Sequence, residues 1–211
     1  MKGSARRAML RTAVSAAALM AWGAAAPAFA APAVGQPAPA FTAVDSKGKQ
    51  HKLADFKGKI VVLEWTNHEC PYVQKHYQSS NMQKLQKEAT QAGAVWLSVI
   101  SSAPGEQGHV DGAKADQLVA SGGAAPSAVL LDPKGEIGKA YDARTTPHMY
   151  VIDAQGVLRY AGGIDSIAST KLEDVDKAAP LFKTAFESVV KGETVKQAST
   201  RPYGCGVKYK S

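Results

Sequence analysis

The alternation of apolar and polar positions changes period several times along this chain, and each change predicts an element. Phe41-Thr42-Ala43-Val44-Asp45 alternates residue by residue, Ser46-Lys47-Gly48 turns, and Lys49 to Leu53 returns, which predicts a β-hairpin. Asp55 to Lys59 is a second turn. Ile60 to Trp65 is a β-branched, almost unbroken apolar run, the pattern of a strand buried on both faces in a parallel sheet. A polar loop, Thr66 to Glu69, leads to Cys70-Pro71, and proline suits the first helical position. Pro71 to Ala92 has apolar residues at Val73, Tyr77 and Leu85, with a gap at Ser80-Asn81, and reads as one helix ended by Gly93. Ala94 to Ile100 and Ala128 to Asp132 predict two further core strands. Asp111 to Ala120, Gly135 to Tyr141 and Leu172 to Val190 read as helices, and His148 to Asp153 with Val157 to Tyr160 as an antiparallel hairpin. This order predicts a mixed α/β fold whose parallel connections come first and whose sheet is closed by a hairpin.

The two ends read differently. Lys2, Arg6, Arg7 and Arg11 precede an apolar stretch from Ala13 to Ala26, and Ala28 and Ala30 supply a small-x-small cleavage pattern. Residues 1–30 are therefore expected to be a signal peptide, and the protein to be exported to the periplasm or another extracytoplasmic space. Arg6-Arg7 gives that segment a twin-arginine character beside the ordinary secretory one. Residues 31–40 read as an extended leader, 41–190 as the domain and 191–211 as a polar, basic tail. The formal net charge is +7, and four of the positive charges lie in the signal, leaving +3. That excess makes no case for nucleic acid. The apolar stretch is too short and too rich in alanine to predict a membrane span in the mature protein.

Two cysteines remain after cleavage, Cys70 and Cys205. They can pair, act separately or sit inert, and an exported compartment permits a disulfide. Cys70 follows a buried strand and opens a helix, where unpaired N–H groups and the helix dipole favour a thiolate. Cys205 lies between Gly204 and Gly206, which implies a mobile, accessible backbone. Arg201, Lys208 and Lys210 nearby would favour its thiolate.

Val34 to Phe41, Asp45, Gly48-Lys49, Leu53 to Lys59, Val61 to Leu63, Trp65, Cys70-Pro71 and Thr145 to Asp153 occur in an order that resembles the redoxins. Those are the peroxiredoxins of the alkyl hydroperoxide reductase/thiol-specific antioxidant family and the periplasmic thioredoxin-like proteins. The resemblance covers Val34 to Val190 and implies a thioredoxin-like fold, a mixed central sheet flanked by helices. It implies Cys70 as the attacking thiolate and Pro147 as a cis-proline opposite it, with Thr146 offering its backbone to a bound thiol. His148 would lie close by, Trp65 would border the site, and Glu64 would act as a buried proton-relaying acid. His68 would support the thiolate or serve as a base. Cys205 would resolve oxidised Cys70.

The departures also count. Val73 stands where thioredoxins carry the second cysteine of Cys-x-x-Cys. The peroxide-activating set of peroxiredoxins is incomplete, with Asn67 three residues before Cys70 and Arg144 the nearest arginine candidate. The expected function is thus thiol–disulfide exchange. Peroxide reduction is an alternative, and a non-enzymatic binding or copper-handling module with a structural disulfide is a second. The expected partners are protein or small-molecule thiols and disulfides, hydroperoxides under the first alternative, and a thiol electron donor. No cofactor and no resident metal is expected.

Overall fold

A computed structural model describes residues 32–210, so the signal-peptide reading lies outside the described residues. Seven strands form one sheet: β1 (Thr42–Asp45), β2 (Gln50–Lys52), β3 (Val61–Trp65), β4 (Val95–Ile100), β5 (Ala128–Leu131), β7 (His148–Ile152) and β8 (Leu158–Gly162). Two short strands, β6 (Thr145–Thr146) and β9 (Cys205–Gly206), pair separately. The strand order is β2-β1-β5-β4-β3-β7-β8. The β3–β4 and β4–β5 pairs are parallel, and β1–β5, β3–β7 and β7–β8 are antiparallel.

The interior strand β3 is buried at every position, because both faces of the sheet are covered. Val61, Leu63 and Trp65 pack with Leu97, Tyr141 and Tyr150 on one face, under α4 (Glu136–Ala140). Val62 packs with Trp96, Met82 and Phe182 on the other, under α2 (Asn81–Gln91) and α5 (Leu181–Val190). Period-2 alternation along a doubly covered strand thus appears in the sequence as a continuous apolar run. α3 (Gly112–Ser121) covers the β5 end, with Ala115 against Ile100 and Val129.

Two predicted helices are shorter than expected. The segment from Pro71 to Ala92 is α1 (Pro71–Gln78) followed by α2, and the break falls at Ser80, which is left-handed (φ 60°). The break coincides with the gap in the apolar stripe. The segment from Leu172 to Val190 is a 3-10 turn at Leu172–Asp174, a loop, and then α5 from Leu181. Pro180 cannot continue a helix through its own position. Among the described residues no helix is long and apolar enough to cross a membrane.

Candidate active site

Cys70 is the N-cap of α1, placed at the end of β3 by a four-residue loop. Asn67 shapes that loop. Its carbonyl accepts the Cys70 N–H at 3.0 Å, and its side-chain oxygen accepts the Glu69 N–H at 2.9 Å. Pro71 at the first helical position gives up no hydrogen bond that the helix needs. Opposite the loop, the Thr146–Pro147 peptide bond is cis, and the Cys70 thiol donates to the Thr146 carbonyl at 3.1 Å.

The tail completes the site. It runs beside β8, where the Thr200 N–H donates to the Ala161 carbonyl, and then crosses to the Cys70 loop. There β9 pairs antiparallel with β6, placing Cys205 opposite Thr146 and Gly206 opposite Thr145. The expectation of a mobile backbone around Cys205 is corrected here. Gly204 has φ 138°, and a Cβ there would overlap the Thr146 carbonyl. The glycine allows close approach of two backbones rather than free motion.

The two thiols differ. Burial pushes Cys70 up, but the Cys205 thiol, the Thr146 side chain and the N–H groups of Val73 and Cys205 outweigh it, leaving Cys70 below its ordinary value. Cys205 is pushed up to about 11, chiefly by burial and then by the neighbouring Cys70 sulfur. The expected help from basic neighbours is reduced to Lys208, which does not offset those two. Cys70 is therefore the more acidic of the two sulfurs and Cys205 the less acidic, the ordering that suits an attacking and a resolving sulfur. Both cysteines are free.

The remaining candidates fall in different places. Glu64 is fully buried, and its carboxylate accepts from Tyr77 Oη (2.8 Å), Trp96 Nε1 (2.8 Å), Ser98 Oγ (2.8 Å) and Gln86 Nε2 (3.2 Å). None of those donors belongs to the cysteine pair. Trp65 is also fully buried. Its indole donates to Ser101 Oγ at 3.0 Å and its ring packs against Tyr141 and Tyr150, so it supports the loop from the core. His68 borders a cavity of about 230 Å³ between α1 and α3 that neither cysteine lines. His148 is buried, which pushes it down to about 3; its Nδ1 accepts from the Arg144 N–H at 3.4 Å and lies 3.0 Å from Tyr150 Oη, which donates to the Tyr141 carbonyl. It is a neutral group and brings no positive charge to the sulfurs. The Arg144 guanidinium is exposed and pairs with Asp142 at 2.6 Å. Among the described residues, no group of three His, Cys, Asp or Glu stands close enough together to hold a metal ion.

Sequence reasoning missed a buried polar cluster beneath the tail. Lys75 and His76 on α1 are 1% and 0% exposed, and they meet Asp165 and Tyr203. A lysine one turn into a helix reads as solvated, and nothing local marks it as buried. Tyr209, near the chain end, was likewise not singled out. Its hydroxyl donates to the Ala143 carbonyl at 2.7 Å.

The AhpC/TSA family model matches residues 34–161. No curated protein matches the chain. Among solved structures, a hypothetical protein from Sinorhizobium meliloti 1021 is 21% identical, covering 86% of this chain and 97% of that one, with a TM-score of 0.69. An uncharacterized conserved protein from Geobacillus kaustophilus is 23% identical, covering 84% and 93%, with a TM-score of 0.70. A candidate thiol:disulfide interchange protein DsbE from Chlorobium tepidum is 23% identical, covering 62% and 85%, with a TM-score of 0.51. These likenesses carry the thioredoxin-like fold, and the family match carries the rest: the chain belongs to the AhpC/TSA family of redoxins, which are thiol-dependent oxidoreductases.

Proposed function

We propose that this protein is an exported two-cysteine thiol–disulfide oxidoreductase in which Cys70 attacks and Cys205 resolves. The observation that carries the reading is the β6–β9 pairing, which sets Cys205 opposite Thr146 while the Cys70 thiol bonds the same Thr146. The Cys70 thiolate attacks one sulfur of a disulfide. A sulfur–sulfur bond forms to Cys70, the substrate's own bond breaks, and one thiol leaves as thiolate and takes a proton from water. Cys205 then loses its proton and attacks the Cys70 sulfur, and the second substrate thiol leaves. The substrate is reduced by two electrons, and the cysteine pair is oxidised to a disulfide that an external thiol donor must reduce. The positive leader, Lys2 to Arg11, with Ala28 and Ala30, supports export.

The family match favours hydroperoxide reduction as a second reading. There the Cys70 thiolate takes one oxygen to become a sulfenic acid, the alcohol leaves, and Cys205 condenses with it to release water. The pairing of Arg144 with Asp142 weighs against that reading, since no arginine contacts Cys70 among the described hydrogen bonds.

Reduced Cys205→Ser protein is expected to accumulate a Cys70 mixed disulfide with a stoichiometric small disulfide. Wild type should release both substrate thiols. Mass spectrometry distinguishes the two. A Cys205→Ser protein that releases both thiols as fast as wild type would overturn the resolving role. Rapid formation of a Cys70 sulfenic acid with dilute hydrogen peroxide, faster than disulfide exchange, would favour the second reading.

A further inference from the structure

Cys70 is 0% exposed although it is the attacking group, and part of what covers it is the chain's own tail. β6 is two residues long, and β9 occupies its edge at Thr145 and Thr146. A disulfide to Cys70 requires the partner's Cα within about 4.4–6.8 Å of the Cys70 Cα. A protein substrate must therefore bring its backbone into the space beside Thr146, where the backbone of Cys205 already stands. A small oxidant carries no such backbone.

The tail is fastened on both sides of Cys205. Upstream, the Tyr203 hydroxyl donates to Asp165 Oδ1 at 2.5 Å and accepts from Lys75 Nζ at 3.0 Å and His76 Nε2 at 3.1 Å. His76 can donate through Nε2 because its Nδ1 accepts from Asn81 Nδ2 at 2.9 Å. Lys75 directs its remaining protons to the Ile167 carbonyl at 3.1 Å and Asp165 Oδ2 at 3.5 Å. Every donor of the cluster has an acceptor, and the hydroxyl of one tail residue joins all of them to α1, the helix that Cys70 caps. Downstream, the Ala103 N–H donates to the Lys208 carbonyl at 2.8 Å, and the Tyr209 hydroxyl bonds the Ala143 carbonyl. The tail itself is half-buried or exposed throughout. Val195, Tyr203 and Val207 pack against the core but stay half-buried, so the polar fastenings add much of the hold, and segments with so little buried apolar surface open locally below the global unfolding free energy.

We propose that the tail is a strap that restricts Cys70 to small-molecule oxidants and excludes protein disulfides, and that Tyr203 is the positioning residue that latches it. The proposal rests on the reading of Cys70 as the attacking thiolate. It narrows the substrate class to small disulfides or other compact thiol oxidants.

The test reads accessibility and needs no turnover. In a Cys205→Ser background, where Cys70 is the sole thiol, its modification is followed with iodoacetamide and with a maleimide carried on a long polyethylene glycol. With the strap latched, the polymer reagent is expected to label Cys70 at least about a hundredfold more slowly than it labels the unfolded protein in urea, while iodoacetamide is slowed far less. Adding Tyr203→Phe should raise the polymer rate roughly tenfold or more and move the iodoacetamide rate little, since a charge-assisted hydrogen bond is lost. Tyr209→Phe loosens the other fastening without touching the buried lysine, and should act in the same direction. Polymer labelling of the folded parent at the unfolded rate, or no change in either tyrosine variant, would overturn the strap. A closed strap on a protein that exchanges with no disulfide would instead overturn the functional reading and leave the strap standing.

Discussion

Cys70→Ser is expected to reduce thiol–disulfide exchange by at least about a thousandfold while leaving the fold intact. A serine hydroxyl does not ionise near neutral pH and forms no bond to sulfur that could carry the exchange. Serine is also a favoured N-cap, so α1 keeps its start and the stability change should stay within about 1 kcal/mol. Loss of activity without loss of stability separates nucleophile from structural cysteine. The pH dependence of wild type completes the assignment. Because Cys70 lies below its ordinary value, the exchange rate should rise with pH and level off below the pKa of a free thiol of this type, 9.0. A rate still climbing towards pH 11 would instead report Cys205 as the attacker. Residual activity of Cys70→Ser near the wild-type level would remove Cys70 from the chemistry.

Glu64→Ala is expected to cost about 3–5 kcal/mol of stability, a large part of the roughly 5–15 kcal/mol of a typical domain. Four donors from Tyr77, Gln86, Trp96 and Ser98 converge on this carboxylate. Removing it takes the acceptor from Tyr77, Trp96 and Ser98, while Gln86 Nε2 keeps only the Tyr77 hydroxyl at 3.2 Å, and their penalties overlap rather than add. Glu64→Gln keeps one oxygen but turns an N–H towards donors, so it should cost less than alanine and more than about 1 kcal/mol. Urea unfolding at neutral pH measures both. We propose that Glu64 ties α1 and α2 to β3 and β4, and that it passes no proton to the sulfurs. Glu64→Gln protein that unfolds like wild type yet exchanges far more slowly would restore the relay role.

The core was legible because doubly covered strands write themselves as apolar runs. Ile60 to Trp65 could hardly be anything else, and Cys70-Pro71 after it marked the helix start. The division of the following helix was visible only as a missing stripe position at Ser80-Asn81, which propensity alone does not convert into a left-handed residue. The tail was misread for a physical reason. Its hold on the domain comes from tyrosine hydroxyls, backbone hydrogen bonds, a two-residue strand pairing and half-buried apolar contacts, all made to partners distant in the sequence, and such contacts leave no local periodicity. Gly204 read as freedom because a sequence does not show the Thr146 carbonyl it must pass. Lys75 read as solvated because its partners, Asp165 and Tyr203, come from distant segments. Local reasoning thus singled out Cys70 at a helix start, and the family resemblance pointed to the cis-proline opposite it, but neither showed what holds the second cysteine beside them.

The central claim is that Cys70 and Cys205 are one working redox pair. Its most direct test is differential alkylation with mass spectrometry of the mature protein, equilibrated across a series of oxidised and reduced dithiothreitol. The account predicts a single Cys70–Cys205 disulfide, formed and reduced reversibly as a two-electron couple, with both thiols lost together along one curve. Two thiols that oxidise independently, or a disulfide that the most reducing mixtures leave untouched, would contradict it.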